Sequence, residues 1–245
     1  MQVEAYLDNL PALHTWDGGA TWNSGGFERE HLKPLHEFLR KELPEGSTLL
    51  ETGCGNSTIL MLLLEPKRLI SIAPDAALFQ RIREFCAKNQ IADAALEPHV
   101  DGSQWVLPVL AAENRRSDPF LDFALIDGCH GWPTAFVDLE YANAMLREGG
   151  YVMVDDVQLH GLKEMARLLS EHEGFSLALD IGKSLVFRKL TAQRFLGEWH
   201  NQPYLIRRTK AYGQDWPNPF ALGEPSALSK TRQWLGRLPQ RIRGG

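Results

Sequence analysis

The stretch Asp122-Phe-Ala-Leu-Ile-Asp127-Gly-Cys-His130-Gly-Trp-Pro133 and, downstream, Gly149-Gly-Tyr-Val-Met-Val-Asp155-Asp156 read together as strand, loop, helix and strand. Residues 122–127 are a short apolar run ending in a carboxylate. Gly128 to Pro133 is turn-rich, and its proline suits the first turn of a helix. Apolar side chains at Phe136, Leu139, Ala142, Met145 and Leu146 follow a helical stripe. The glycine pair 149–150 is expected to stop that helix before Tyr151–Val154 returns as a buried strand. A unit of this length is a right-handed parallel crossover, so both strands finish on one side of the sheet. Parallel neighbours lie about 4.8 Å apart. Asp127, Asp155 and Asp156 should therefore converge near His130. Three carboxylates in one crevice must be protonated, held by cationic donors, or bridged by a metal ion.

Working outward, Ser47–Glu51 is a first strand that runs into Thr52-Gly53-Cys54-Gly55-Asn56-Ser57 and then the helical run 58–64. A strand turning tightly through Gly-x-Gly onto a helix brings backbone N–H groups close to a ligand. A nicotinamide-dinucleotide fingerprint wants a third glycine where Thr58 stands, which argues against an NAD-dependent oxidoreductase. Further strands are expected at 68–72 and 95–100, with a helix at 76–88 between them. A helix from His160 through Leu169 precedes a hairpin of Phe175–Asp180 and Ser184–Lys189 around Ile-Gly-Lys. Phe27–Leu43 reads as an amphipathic helix bent at Pro34.

The acid-plus-glycine loop Glu51-Thr-Gly53-Cys-Gly55-Asn-Ser57, the Asp127-Gly-Cys-His130 turn and the Gly149-Gly…Asp155-Asp156 run resemble class I S-adenosylmethionine-dependent methyltransferases. The resemblance covers roughly residues 45–190. It is greatest to the metal-dependent O-methyltransferases of sugar hydroxyls in natural products and glycans. It implies an α/β fold: a doubly wound, mostly parallel seven-stranded sheet closed by an antiparallel C-terminal hairpin, in the Rossmann-like methyltransferase manner. It implies S-adenosylmethionine bound by Glu51, Gly53, Cys54, Gly55 and Ser57, with Asp101 and Ser103 near the adenine. The family's ribose-binding acid after the second strand is replaced by Ala73, leaving Asp75 as a substitute that also reads as a helix cap. The resemblance further implies magnesium on Asp127, Asp155 and Asp156, with Asp127 and His130 catalytic and His130 the base. His160, close by, reads as an alternative base or a capping residue. The rival reading is a catalytically degenerate methyltransferase-like binding module.

Composition sets the outer bounds. The chain of 245 residues has 44% hydrophobic content and a net charge of −5. Residues 191–245 hold nine Lys or Arg against three acids, leaving residues 1–190 at −11. An acidic body argues against nucleic acid as a partner. No apolar run approaches the length of about 20 residues that a membrane span needs. Three scattered cysteines and no signal segment indicate a reducing, cytoplasmic setting. The expected organisation is an N-terminal strap and helical cap over 1–44, the cofactor-binding domain over 45–190, and an aromatic, basic extension over 191–245. Trp16 and Trp22 are candidates for a cover over the strand ends. Gln202–Arg208 and 211–219 look irregular, and 229–238 reads as a short basic helix. The extension is a candidate homo-oligomer contact or substrate-side cover.

Overall fold

The computed structural model describes residues 1–15 and 17–211, so Trp16, Trp216, Trp234 and the expected basic helix at 229–238 lie outside the described residues. Two helices open the chain: α1 (Val3–Asp8) and α2 (Arg29–Glu42). The alternation that follows is β1 (Thr48–Thr52), α3 (Asn56–Leu62), β2 (Arg68–Ile72), α4 (Ala76–Lys88), β3 (Leu96–His99) and α5 (Ser103–Glu113). It continues through β4 (Leu121–Ile126), α6 (Thr134–Met145), β5 (Leu146–Val154), α7 (His160–Glu171), β6 (Phe175–Asp180) and β7 (Leu185–Lys189). The strands form one seven-stranded sheet in the order β3-β2-β1-β4-β5-β7-β6. β1 to β5 are parallel, and β7 runs antiparallel to β5 and β6. This is the expected doubly wound sheet closed by a hairpin.

Strand alternation sorts the core into two layers. Leu49, Leu69, Phe123, Leu125, Tyr151 and Met153 pack against α2, α3 and α4. Leu50, Ile70, Ala124, Ile126, Val152 and Val154 pack against α5, α6 and α7. Tyr6, Leu7, Leu13 and Phe27 join the first layer, so the N-terminal segment belongs to the same core. Met1–Tyr204 forms one compact unit.

Register fixes the functional rim. Thr52 pairs with Ile72 on one side and Ile126 on the other, Ile72 with His99, and Ile126 with Val154. Five parallel strands thus finish level, and the strand order reverses between β1 and β4. The crevice at such a switch point is where open α/β sheets bind ligands.

Two elements differ from expectation. The helix after Pro133 ends at Met145, before the glycine pair, because the Lys189 ammonium binds the carbonyls of Asn143 and Leu146 at 2.8 Å each. A cation at a helix C-terminus satisfies its unpaired carbonyls. The glycines instead form a bulge in β5, where Gly149 takes φ +81°. The second difference lies at 203–211: the stretch is helical (α8, Pro203–Ala211), with Pro203 in the first turn, where a missing N–H costs nothing. No described helix is long and apolar enough to cross a membrane.

Candidate active site

Glu51 sits at the end of β1 with no exposed surface. Its carboxyl accepts bonds from Ser57 Oγ (2.8 Å), Thr58 Oγ1 (2.5 Å) and Ser71 Oγ (2.6 Å). Burial nonetheless pushes its pKa up to about 7, against those three hydroxyls. The acid therefore braces the glycine turn from beneath, tying it to α3 and β2. Thr58 also accepts the Gly55 N–H at 2.9 Å.

Gly53 has φ +84°, and a Cβ there would lie 2.4 Å from the Asp127 carbonyl oxygen. Only glycine lets the β1 turn pass the end of β4 so closely. The two motifs thus share one rim and touch through their backbones. Above Gly55, an added Cβ would meet only the His14 ring at 3.9 Å, so the turn leaves room for a ligand. Cys54 is a free, half-buried thiol whose pKa burial drives upward. These residues fit a cofactor that lays a polar tail on a glycine turn.

The other expected cofactor residues are partly engaged elsewhere. Asp75 caps α4 through the Leu78 N–H at 3.0 Å and pairs with Arg81 at 3.5 Å. Ala73 is buried at the end of β2. Asp101 is exposed and accepts the Gly102 N–H. Ser103 is buried and donates to Asp138 at 2.9 Å. Asp138, on α6, has no exposed surface, and burial raises its pKa to about 6.

At the ends of β4 and β5, His130 lies between two carboxylates: Nε2 is 3.4 Å from Asp127 Oδ1, and Nδ1 is 3.4 Å from Asp156 Oδ2. Donor atoms of Asp127, His130 and Asp156 all fall within 4.8 Å of one another. Asp127, chiefly through burial and then through Asp155, has its pKa raised well above the carboxylate range. The carboxylates, Asp127 first, raise that of His130. The geometry does not bring Asp155 into this trio. It is buried, with one oxygen held by Lys183 Nζ at 2.9 Å and the other by the Ser184 hydroxyl. Asp156, at φ +52°, shares the same ammonium at 3.4 Å. Burial opposes the Lys183 charge, but Asp155, Asp156 and Asp127 outweigh it and raise its pKa. His160 stands exposed at the start of α7.

The two carboxylates of the trio fit a divalent cation, beside His130, whose Nε2 is buried and lacks a well-formed hydrogen bond. Lys183, Ser184, Asp138 and Ser71 had no motif to announce them. The one sequence signal was a lysine in the turn of a hairpin that closes beside the β5 acids.

A family model described as a methyltransferase domain matches residues 50–157. No curated protein matches the chain. Among solved structures, the chain resembles the O-methyltransferase TomG from Streptomyces achromogenes, solved with S-adenosylmethionine. That match has 19% identity and TM-score 0.55, over 68% of this chain and 82% of that one. A methyltransferase from Geobacter sulfurreducens gives 21% identity and TM-score 0.54, over 77% and 96%. A putative rRNA methylase from Clostridium thermocellum gives 15% identity and TM-score 0.52, over 66% and 96%. Residues 50–157 match a methyltransferase domain, and the sheet order and level rim give the chain the Rossmann-like fold of class I methyltransferases.

Proposed function

We propose that the chain moves a methyl group from S-adenosylmethionine to a hydroxyl oxygen of a small molecule or glycan, in a reducing cytoplasm, with a divalent cation assisting. The observation that carries this reading is the Asp127–His130–Asp156 trio abutting the Gly53 turn on one rim. An alcohol is a weak nucleophile at neutral pH, so the site must take its proton as the new bond forms. His130, oriented by a carboxylate at each ring nitrogen, is placed to accept that proton. S-adenosylmethionine, when bound, supplies a sulfonium methyl whose S–C bond breaks as the O–C bond forms. Asp127 and Asp156 would hold a divalent ion such as magnesium, which lowers the hydroxyl pKa. Asp155 serves behind them, fixed by Lys183 and Ser184. Gly53, Cys54, Gly55 and Ser57 line the methionine side of the cofactor, with Glu51 acting through the turn it braces. Asp75, Asp101 and Ser103 lie toward the ribose and adenine. The net charge of −11 over residues 1–190 disfavours a polynucleotide acceptor.

Calorimetry with S-adenosylhomocysteine, followed by a methyl-transfer assay over sugar, macrolide and phenol hydroxyls, tests the reading. Binding together with magnesium-dependent transfer to one of these classes is expected. Absent binding leaves the degenerate module, whose supporting feature is buried Ala73 at the ribose position. Full activity in the presence of a chelator rejects the cation.

A further inference from the structure

The residues of the N-terminal strap are held from two directions by cations that already have acidic partners on the rim. Lys183, in the β6–β7 turn, donates to the Gly25 carbonyl at 3.1 Å while it pairs with Asp155 and Asp156. Its ammonium also lies 4.5 Å from the centroid of the Phe27 ring, and Phe27 is buried. Arg81, on α4, donates to the Leu13 carbonyl at 2.5 Å while it pairs with Asp75. Between these two anchors, Asn23 folds the strap onto itself: its amide binds the Pro11 carbonyl at 2.7 Å and the Leu13 N–H at 3.0 Å. His14 then stands opposite Gly55. Asp75 follows β2 and the acid pair follows β5, whereas β1 and β4 lie between them in the sheet. A strap anchored at both places crosses the glycine turn.

We propose that Lys183 and Arg81 are positioning residues that clasp the strap, through Gly25 and Leu13, across the rim that holds the cofactor. Each clasp is shared between a strap carbonyl and an acid of the site. One hydrogen bond from a charged donor shifts a local opening equilibrium by roughly tenfold, so either clasp alone has a measurable effect. The consequence for cofactor retention rests on the methyl-transfer reading; the clasp itself does not.

The test compares the wild-type full chain with Lys183→Met, Lys183→Arg and Arg81→Met, without added cofactor. Chymotryptic cleavage after Trp22, exposed in the strap, is followed by mass spectrometry. Cleavage should accelerate by about fivefold or more in Lys183→Met and in Arg81→Met, and return toward the wild-type rate in Lys183→Arg. Arg81 touches neither Asp155 nor Asp156, so Arg81→Met keeps the test open if Lys183→Met fails to fold. Wild-type cleavage rates in a folded Arg81→Met or Lys183→Met overturn the proposal. Release of S-adenosylhomocysteine is then timed by stopped flow, and it should quicken in the same two variants. If the ligand binds none of the proteins, the methyl-transfer reading falls while the cleavage rates still decide the clasp.

Discussion

Glu51 and His130 titrate in ways that report on the two halves of the site. Glu51 has a folded-state pKa of about 7 against 4.5 for an ordinary carboxyl. The folded state binds this proton more tightly than the unfolded one. Its contribution to stability is thus full below pH 4.5 and lost as pH rises toward 7, by roughly 3 kcal/mol. Glu51→Gln should flatten the fall in unfolding free energy across that window, read from urea titrations at several pH values. Asp127 and Asp138, also raised by burial, keep part of the slope in the variant. An unchanged slope would show that the carboxyl is not protonated in the fold. His130 has the opposite use. Its carboxylate neighbours raise its pKa above 6.5, so the base is neutral only on the alkaline side. Before a cation binds, the His130 ring should titrate above 6.5, read from its ring-proton NMR shifts across pH, and a titration at or below 6.5 would count against the carboxylate contacts. His130→Ala should cut turnover by about 100-fold or more and keep cofactor affinity nearly intact. Unchanged turnover in that variant removes His130 from the role.

At the scale of elements, the β1–α3 turn is the least tolerant piece of the rim. Gly53→Ala puts a methyl group 2.4 Å from the Asp127 carbonyl at φ +84°, so both sterics and backbone oppose it. A loss of about 2–4 kcal/mol in stability is expected, with a weakened cofactor site in whatever fraction still folds. A melting temperature equal to wild type would mean that the two loops do not touch. The sequence marked this turn correctly because glycine spacing after an apolar run is a local pattern. It misplaced the end of α6 for a physical reason. Lys189, buried and lowered to a pKa of about 8 by its surroundings, first by burial, caps that helix from a strand 43 residues away. Helix-ending glycines nearby were the stronger local signal, and a distant cation overrode it. The helix at Pro203–Ala211 was hidden similarly, since a proline opening a polar stretch reads as a turn until the fold gives the helix a place.

For the whole molecule, the proposed ligand should act on the folded state alone. S-adenosylhomocysteine at 100 times its dissociation constant stabilises a protein that binds only when folded by about 2.7 kcal/mol. For a chain of this length, that is a rise of roughly 5–10 °C in melting temperature. Differential scanning fluorimetry reads the shift directly, and a flat profile up to millimolar ligand counts against the cofactor. Anchoring of the N-terminal segment in the first core layer, with Tyr6 donating to the Asn56 carbonyl at 2.7 Å, makes the shift report on strap and sheet together.

By itself, the sequence determined the alternation of strands and helices, the hairpin that closes the sheet, and the placing of Asp127, His130, Asp155 and Asp156 at strand ends. Those features are written in spacings of a few residues, where backbone periodicity ties neighbour to neighbour. The tertiary structure alone decided which groups meet. It turned Glu51 inward under three hydroxyls and withdrew Asp155 from the trio. It brought Lys183 to acids 27 and 28 residues earlier in the chain, and Arg81 to a carbonyl 68 residues away. Such pairings follow from how loops close over the rim, and no local period carries that information.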